Sequence, residues 1–202
     1  MIIKNASKPR GRPRAFDADQ ALDAALRVFW QKGYEGASLS DLTAAMGINR
    51  PSLYAAFGDK EALFRRALNR YAQGPAAYMQ EVPNAASARE SVELLLGGAI
   101  DLLTDPRNPA GCLITQGMLF SAEDTDPIRR EIIACRQRDE AGLRTRLERA
   151  ASEGEIMPDT DAAGLARYFV TVVRGLGISA LSGASRDELL EVARMALQVW
   201  PG

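Results

Sequence analysis

The sequence predicts an all-α protein, and three observations support that class. Apolar residues recur at helical spacing, as Leu39, Leu42 and Met46 do. Capping residues and glycines mark the ends of such apolar stretches. No alternation of apolar and polar residues persists as it would in a strand. We therefore expect three N-terminal helices followed by a larger helical domain.

Start and stop signals place each helix. Asp17 caps a first helix over 18–32, and Gly33 ends it. The next two helices begin at the caps Ser38 and Asn49, and the fourth runs from Lys60 through residue 71. Further helices are expected over 87–104, 110–121, 127–153, 161–180 and 185–199.

The segment 38–64 has the pattern of a helix-turn-helix. Gly47 suits the left-handed residue that ends a helix, and Pro51 is tolerated in the first turn of the next one. Leu53 and Phe57 are expected to face inward, which leaves Arg50 and its polar neighbours outward. The start of a recognition helix meets base edges in the major groove, where arginine can bind guanine. The predicted DNA contacts here are Ser38, Ser40, Asn49, Arg50, Pro51, Ser52, Tyr54 and Lys60.

A basic arm precedes this segment. Residues 1–14 carry five Lys or Arg and no acidic residue, and Arg10, Arg12 and Arg14 are set among glycine and prolines. The Arg-Gly-Arg core resembles an AT-hook, which would place these arginines in an A·T-rich minor groove. The alternative is a solvated basic tail that binds nonspecifically. In either case we expect the arm to be disordered without DNA.

Charge is unevenly distributed along the chain. Its net charge is −1, but residues 1–72 carry 12 basic and 7 acidic residues, whereas residues 73–202 carry 13 and 19. This asymmetry localises the attraction for phosphate to the N-terminal end.

Composition excludes several classes of protein. The sequence has no histidine, which removes histidine-dependent nucleophiles and metal sites. Its two cysteines form no zinc or disulfide pattern, and Asp139 and Glu140 are expected to face solvent. Because these patterns are missing, we expect a protein that is not an enzyme and needs no metal or cofactor. We expect it to be cytoplasmic, because the sequence has no signal peptide and no apolar run of membrane length.

The chain resembles the tetracycline-repressor (TetR) family of bacterial regulators over residues 16–68. The matching residues are Gly33-Tyr34, Ser38, Asp41-Leu42, Gly47-Ile48, Ser52-Leu53-Tyr54, Phe57-Gly58-Asp59-Lys60 and Leu63-Phe64. Beyond that region the resemblance lies in length, helical pattern and the segment Gly111-Cys112-Leu113. Ala55 and Ala56 depart from the family, which often has an aromatic residue or histidine just after the tyrosine.

The resemblance implies a homodimer in which the last two helices form a four-helix bundle with their copies. The helix around Leu176 is too apolar for one face of an isolated monomer, and a twofold dimer reads two half-sites. The alternative is that these helices only close the monomer core. The expected interface residues are Tyr168, Val172, Gly175, Leu176, Leu189, Val192 and Leu197.

The resemblance also implies a ligand cavity among the middle helices. An effector bound in this cavity would move the fourth helix. The alternative is that these apolar residues are ordinary core. The candidate lining residues are Leu95, Leu102, Cys112, Gln116, Met118, Phe120 and Tyr168.

These observations predict a DNA-binding regulator, a repressor that leaves a palindromic operator when an unknown small molecule binds. The expected organisation is a basic arm at 1–14, a DNA-binding domain at 15–60 and a ligand-binding and dimerisation domain at 61–202, linked by the helix over 60–73. A regulator switched by oxidants or electrophiles at Cys112 is the alternative, because the thiol stands at an expected helix start. The favoured interpretation of Cys112 itself is a small buried apolar residue. The sign of regulation depends on the position of the operator.

Overall fold

The computed structural model describes residues 16–119 and 127–201. No strand occurs within those two ranges, and the predicted all-α class is confirmed. In chain order the helices are α1 (Ala18–Gly36), α2 (Leu39–Met46), α3 (Arg50–Phe57), α4 (Lys60–Gln73), α5 (Tyr78–Glu81), α6 (Ala88–Thr104), α7 (Leu113–Leu119), α8 (Pro127–Glu153), α9 (Ala162–Leu181) and α10 (Arg186–Ala196). Short 3-10 helices at Val82–Asn84 and Leu197–Val199 follow α5 and α10.

The predicted caps of the first three helices are present, and Asp59 caps the fourth. Side-chain oxygens of Asp17, Ser38, Asn49 and Asp59 accept hydrogen bonds from backbone N–H groups in the first turns of α1 to α4. Gly47 ends α2 with φ 65°, the left-handed conformation that glycine adopts without strain. These local bonds satisfy the N–H groups that have no partner inside a helix.

Gly33 interrupts α1 at the point where the sequence predicted its end. Its φ of 68° and ψ of 178° are not helical, and the chain makes one further helical turn to Gly36. The kink brings the Tyr34 ring over Phe29, with the ring centroids 6.3 Å apart.

Several boundaries differ from the sequence-based expectation. α7 begins at Leu113 instead of residue 110, because Gly111 has φ 78° and cannot continue a right-handed helix. α10 tightens into a 3-10 turn at Leu197. α5 was not predicted, because four residues are too few to show a helical period.

Two apolar cores meet along the molecule. The first joins α1 to α4 around an aromatic group in which the rings of Phe29 and Phe64 lie edge-to-face at 5.0 Å, and it extends to Leu113 of α7 and Ile132 of α8. The second joins α6, α8, α9 and α10 around fully buried Phe169. The N-terminal helices therefore pack directly on the C-terminal ones.

α9 has the length and composition of a membrane-spanning helix, contrary to the expectation from sequence. Its apolar window is 28% buried, and it packs against α6, α8 and α10 with Phe169 and Leu176 in their shared core. That packing is typical of a core helix in a globular protein, and it leaves much of α9 exposed.

Candidate DNA-binding surface, ligand cavity and dimer face

The start of α3 presents an exposed surface. Leu53 and Phe57 are buried and anchor the helix, while Arg50 and Pro51 are exposed and Tyr54 is 49% exposed. One face of α3 therefore packs against the rest of the domain, and the opposite face is accessible to a binding partner.

Two predicted contact residues also act as caps. The Asn49 side-chain oxygen accepts a 2.9 Å hydrogen bond from the Ser52 N–H. Ser38 Oγ accepts from the Asp41 N–H and donates to Asp41 Oδ2 at 2.8 Å. Lys32 Nζ lies 2.7 Å from Asp41 Oδ1, and the bonds from Lys32 and Ser38 lower the pKa of Asp41 to about 2. Asn49 and Ser38 thus orient the two helices in addition to any contact with DNA, while Ser40 is exposed.

Lys60 stands at the first turn of α4, beside the recognition helix. Its ammonium lies 4.4 Å from the centroid of the Tyr34 ring, within the range of a cation–π interaction. No acidic residue among 16–119 and 127–201 forms an ion pair with this ammonium, so it is available to a phosphate. Arg10, Arg12 and Arg14 lie outside the described residues.

A cavity of about 90 Å³ lies between α4, α6, α8 and α9, close to the first core. Three predicted lining residues, Leu95, Leu102 and Cys112, are part of its wall. Gln116 is not, because its amide is buried and donates to the Ala110 carbonyl oxygen at 2.7 Å. The side chains of Met118 and Phe120 lie outside the described residues. The other lining residues are Tyr71, Ala76, Tyr78, Met79, Ala99, Leu103, Ile114, Thr115, Arg136, Asp139, Val170, Val173 and Arg174.

Tyr168 was wrongly placed in this cavity. It lies at a separate surface groove with Asp161 and Val199, and its ring meets Phe169 edge-on at 5.1 Å. The helical period of α9 turns Tyr168 away from the cavity and turns Val170 and Val173 toward it.

Cys112 connects the cavity to α4. Its thiol is half-buried, and the sulfur lies 3.2 Å from the Tyr71 hydroxyl oxygen. Complete burial, with Cys112 alongside, raises the pKa of Tyr71 well above its usual value. The Tyr71 hydroxyl is therefore a neutral hydrogen-bonding group in the cavity wall.

The charged end of the cavity was not predicted. Asp139 was expected to face solvent, but burial raises its pKa to about 6, against the opposing effects of Arg138 and Arg174. Arg136 and Arg174 stand near it in the same wall. Charged residues of α8 follow one another so closely that the sequence alone does not separate the inward-facing ones from the exposed ones.

The predicted dimer residues divide into exposed and buried sets. Val192 is 47% exposed, Gly175 is exposed, and Tyr168, Val172 and Leu197 are half-buried. Leu176 and Leu189 are each 1% exposed because they pack inside the second core, so their prediction as interface residues is wrong for this chain. Leu190, in the apolar run of the last helix, is 42% exposed, and Ile178, Leu181, Met195 and Val199 are further large exposed apolar side chains of α9 and the C-terminal segment.

Val192, Met195 and Val199 are three and four residues apart and share one face of the C-terminal helical segment. Met195 is 60% and Val199 54% exposed. A row of exposed apolar side chains on neighbouring helices is typical of a surface that another protein chain covers.

Comparisons with known proteins agree with this architecture. Residues 21–67 match the family model described as bacterial regulatory proteins, tetR family, and residues 88–197 match a tetracyclin repressor-like C-terminal domain. The HTH-type transcriptional repressor ComR of Escherichia coli (strain K12) is 36% identical over 198 residues, which cover 96% of this chain and 93% of ComR. The repressor BdcR of the same strain is 32% identical over 197 residues, 97% of this chain and 95% of BdcR.

A solved structure of the TetR family transcriptional regulator CifR, a cysteine mutant in complex with 26-base-pair operator DNA, superposes on this chain with a TM-score of 0.88. The two sequences are 43% identical, and the match covers 94% of this chain and 100% of that one. Together with the matched helix-turn-helix and C-terminal regions, these similarities establish that the chain belongs to the TetR family of bacterial transcriptional regulators.

Proposed function

We propose that this chain is a homodimeric repressor that binds a palindromic operator and leaves it when a small molecule enters the cavity. The observation that carries this proposal is the exposed start of α3, held in place by Leu53 and Phe57. ComR and BdcR are named as repressors, and CifR is named in complex with operator DNA, which supports the same activity here.

The proposed organisation assigns residues 15–60 to DNA binding and residues 61–202 to ligand binding and dimerisation. A dimer matters for function because each helix-turn-helix reads only a few base pairs, and twofold symmetry pairs two half-sites. We further propose that the protein works in the cytoplasm and catalyses no reaction.

Release is proposed to pass through two aromatic residues. Tyr71 of α4 lines the cavity, and its ring packs edge-on against Trp30 of α1 at 4.8 Å. The Trp30 indole in turn donates to the Gly111 carbonyl oxygen, beside Cys112 in the cavity wall. A ligand that displaces Tyr71 or Cys112 would move α1 and α4, and with them α3. The ligand must bind the released conformation more tightly than the DNA-bound one for this to happen.

We do not adopt the alternative of a covalent switch at Cys112. Its sulfur lies within an apolar wall and against the Tyr71 hydroxyl, the setting of a thiol that behaves as a small apolar group. Thiol labelling of the folded protein tests this choice: labelling of Cys112 faster than free cysteine, with DNA release that Cys112→Ser abolishes, would restore the covalent switch.

The decisive experiment is capture of genomic fragments by the purified protein and by an Arg50→Ala/Tyr54→Ala variant. We expect the wild type to select a few palindromic fragments and the variant to lose that selection. An Arg144→Ala variant, altered at an exposed arginine of α8, is the matched control and should select the same fragments. A folded dimer that captures fragments without selection would contradict the proposal.

A further inference from the structure

One end of the ligand cavity is charged, whereas its remaining walls are largely apolar. α8 contributes Arg136 and Asp139 to this end, and α9 contributes Arg174. Apolar walls with a few placed polar groups are typical of small-molecule sites, where the polar groups orient the ligand. The identity of these charges therefore bears on the kind of molecule that fits.

Arg136 is a half-buried charged group at this end whose guanidinium has no bonded partner among the described residues. Among residues 16–119 and 127–201, none forms a hydrogen bond or an ion pair of 4 Å or less with its guanidinium. Arg174, by contrast, has Glu140 Oε2 at 3.7 Å from its Nη2. Burial, and then the positive charge of Arg174, lower the pKa of Arg136, against the opposing effects of Cys112 and Glu140. Arginine nevertheless keeps its proton in proteins, so the guanidinium is stabilised by an anion and not by neutralisation.

Asp139 differs from Arg136 because it can lose its charge. Burial raises the pKa of its carboxyl group to about 6. A second carboxylate placed nearby would raise that pKa further, and the protonated group would then donate a hydrogen bond. An anionic ligand can therefore bind at this end without facing a second negative charge, because Asp139 would then be protonated.

Arg136 and Arg174 also mark the boundary of the cavity. Both residues line a neighbouring outer groove, together with Gln137 and Glu140. The two arginines therefore stand between an apolar interior and a polar exterior. A molecule with one apolar and one anionic part would lie across this boundary with each part in a suitable environment.

We propose that the cavity takes a small organic acid, with its apolar body against α6 and α9 and its carboxylate bound by the Arg136 guanidinium. The inference rests on the proposed function, because it names the ligand class of the same cavity. A carboxylate matches the planar fork of arginine and can accept two parallel hydrogen bonds from it. An organic cation would instead meet the two arginines at the boundary.

The test uses the full-length wild-type protein and four pairs of probes. Butyrate, hexanoate, octanoate and phenylacetate are each compared with the neutral amide of the same size by titration calorimetry. We expect at least one acid to bind and its amide to bind roughly tenfold more weakly, because charge-assisted hydrogen bonds to Arg136 are lost. An amide that binds as well as its acid, or four acids that fail to bind at millimolar concentration, would overturn the proposal.

Two variants locate the contact. Arg136→Met should weaken binding of the acid by roughly tenfold or more, whereas Arg144→Met, on the exposed side of the same helix, should leave it unchanged. If Arg136→Met does not fold, the acid and amide comparison on the wild type decides alone. No DNA is present in these titrations, so selective capture of operator without acid binding would refute the ligand class and leave the proposed function intact.

Discussion

The Trp30 indole N–H donates a 2.9 Å hydrogen bond to the carbonyl oxygen of Gly111, 81 positions further along the chain. Trp30 is 1% exposed, so this bond is made in the interior, where an unpaired carbonyl is costly. Gly111 suits this position because its φ is 78° and a Cβ atom there would lie 2.5 Å from Leu181 Cγ. One small residue thus touches α1, α9 and the wall of the cavity.

Trp30→Phe should lower the free energy of unfolding by about 1–3 kcal/mol, because it leaves the Gly111 carbonyl without its donor and removes apolar area. Urea denaturation followed by circular dichroism measures the change. Trp200→Phe, at the half-buried tryptophan near the C-terminus, is the matched control and should cost less. Equal losses in the two variants would show that the hydrogen bond adds nothing beyond packing.

Asp139→Asn should stabilise the protein above pH 6. The folded pKa of about 6 exceeds the ordinary value of 3.8, so the native state binds the proton more tightly and stability falls as pH rises from about 4 to 6. At pH 7.5 the amide should gain up to about 3 kcal/mol, and the gain should vanish near pH 4. Urea denaturation across this range tests the prediction, with Asp187→Asn at an exposed position as the control. A gain in stability that does not change with pH would show that the pKa of Asp139 is not raised in the folded protein.

Met195→Glu should convert the proposed dimer to a folded monomer, because a carboxylate would be placed in the apolar face with Val192 and Val199. Sedimentation velocity reports the change in mass, and circular dichroism confirms that the helices persist. Met157 is 58% exposed and lies in the loop between α8 and α9, outside the C-terminal helical segment, so Met157→Glu is the control and should stay dimeric. A Met195→Glu protein that remains a dimer would place the interface elsewhere.

Lys60→Ala should weaken binding to operator and to random DNA by the same factor. If Lys60 neutralises one phosphate per protomer, the slope of log K against log salt should become less steep by roughly 0.9 per protomer. Fluorescence anisotropy at several salt concentrations measures both effects. Arg89→Ala, at an exposed residue of α6 that pairs with Glu93, should leave the slope unchanged. A loss confined to operator would instead indicate that Lys60 reads bases.

The helix-turn-helix was predictable because its signals are local. The caps Ser38 and Asn49 and the turn at Gly47 act within a few residues of the helices that they start or end, so the sequence contains them directly. The DNA contacts inferred from this pattern remain predictions.

The cavity and the dimer face depend on packing between distant segments, which the sequence does not state. Arg146 shows the difficulty: it lies in the charged stretch of α8, yet its side chain is 1% exposed and pairs with Glu155 at 2.8 Å. Arg136 and Asp139 are inward-facing members of the same stretch. The spacing of apolar residues likewise did not show that Leu189 is buried in the monomer core, whereas its neighbour Leu190 is exposed and available to an interface.

The recognition helix α3 is eight residues long, and its fully buried side chains are those of Leu53 and Phe57. Arg50 and Tyr54 are exposed, so substitutions at these two positions leave the buried contacts of the helix unchanged. If Arg50 and Tyr54 read the operator as proposed, operator preference can diverge between duplicated copies of such a gene by single changes at these two positions. Such changes would lie at exposed side chains outside the cavity wall, so the buried contacts of α3 and the cavity would stay as they are.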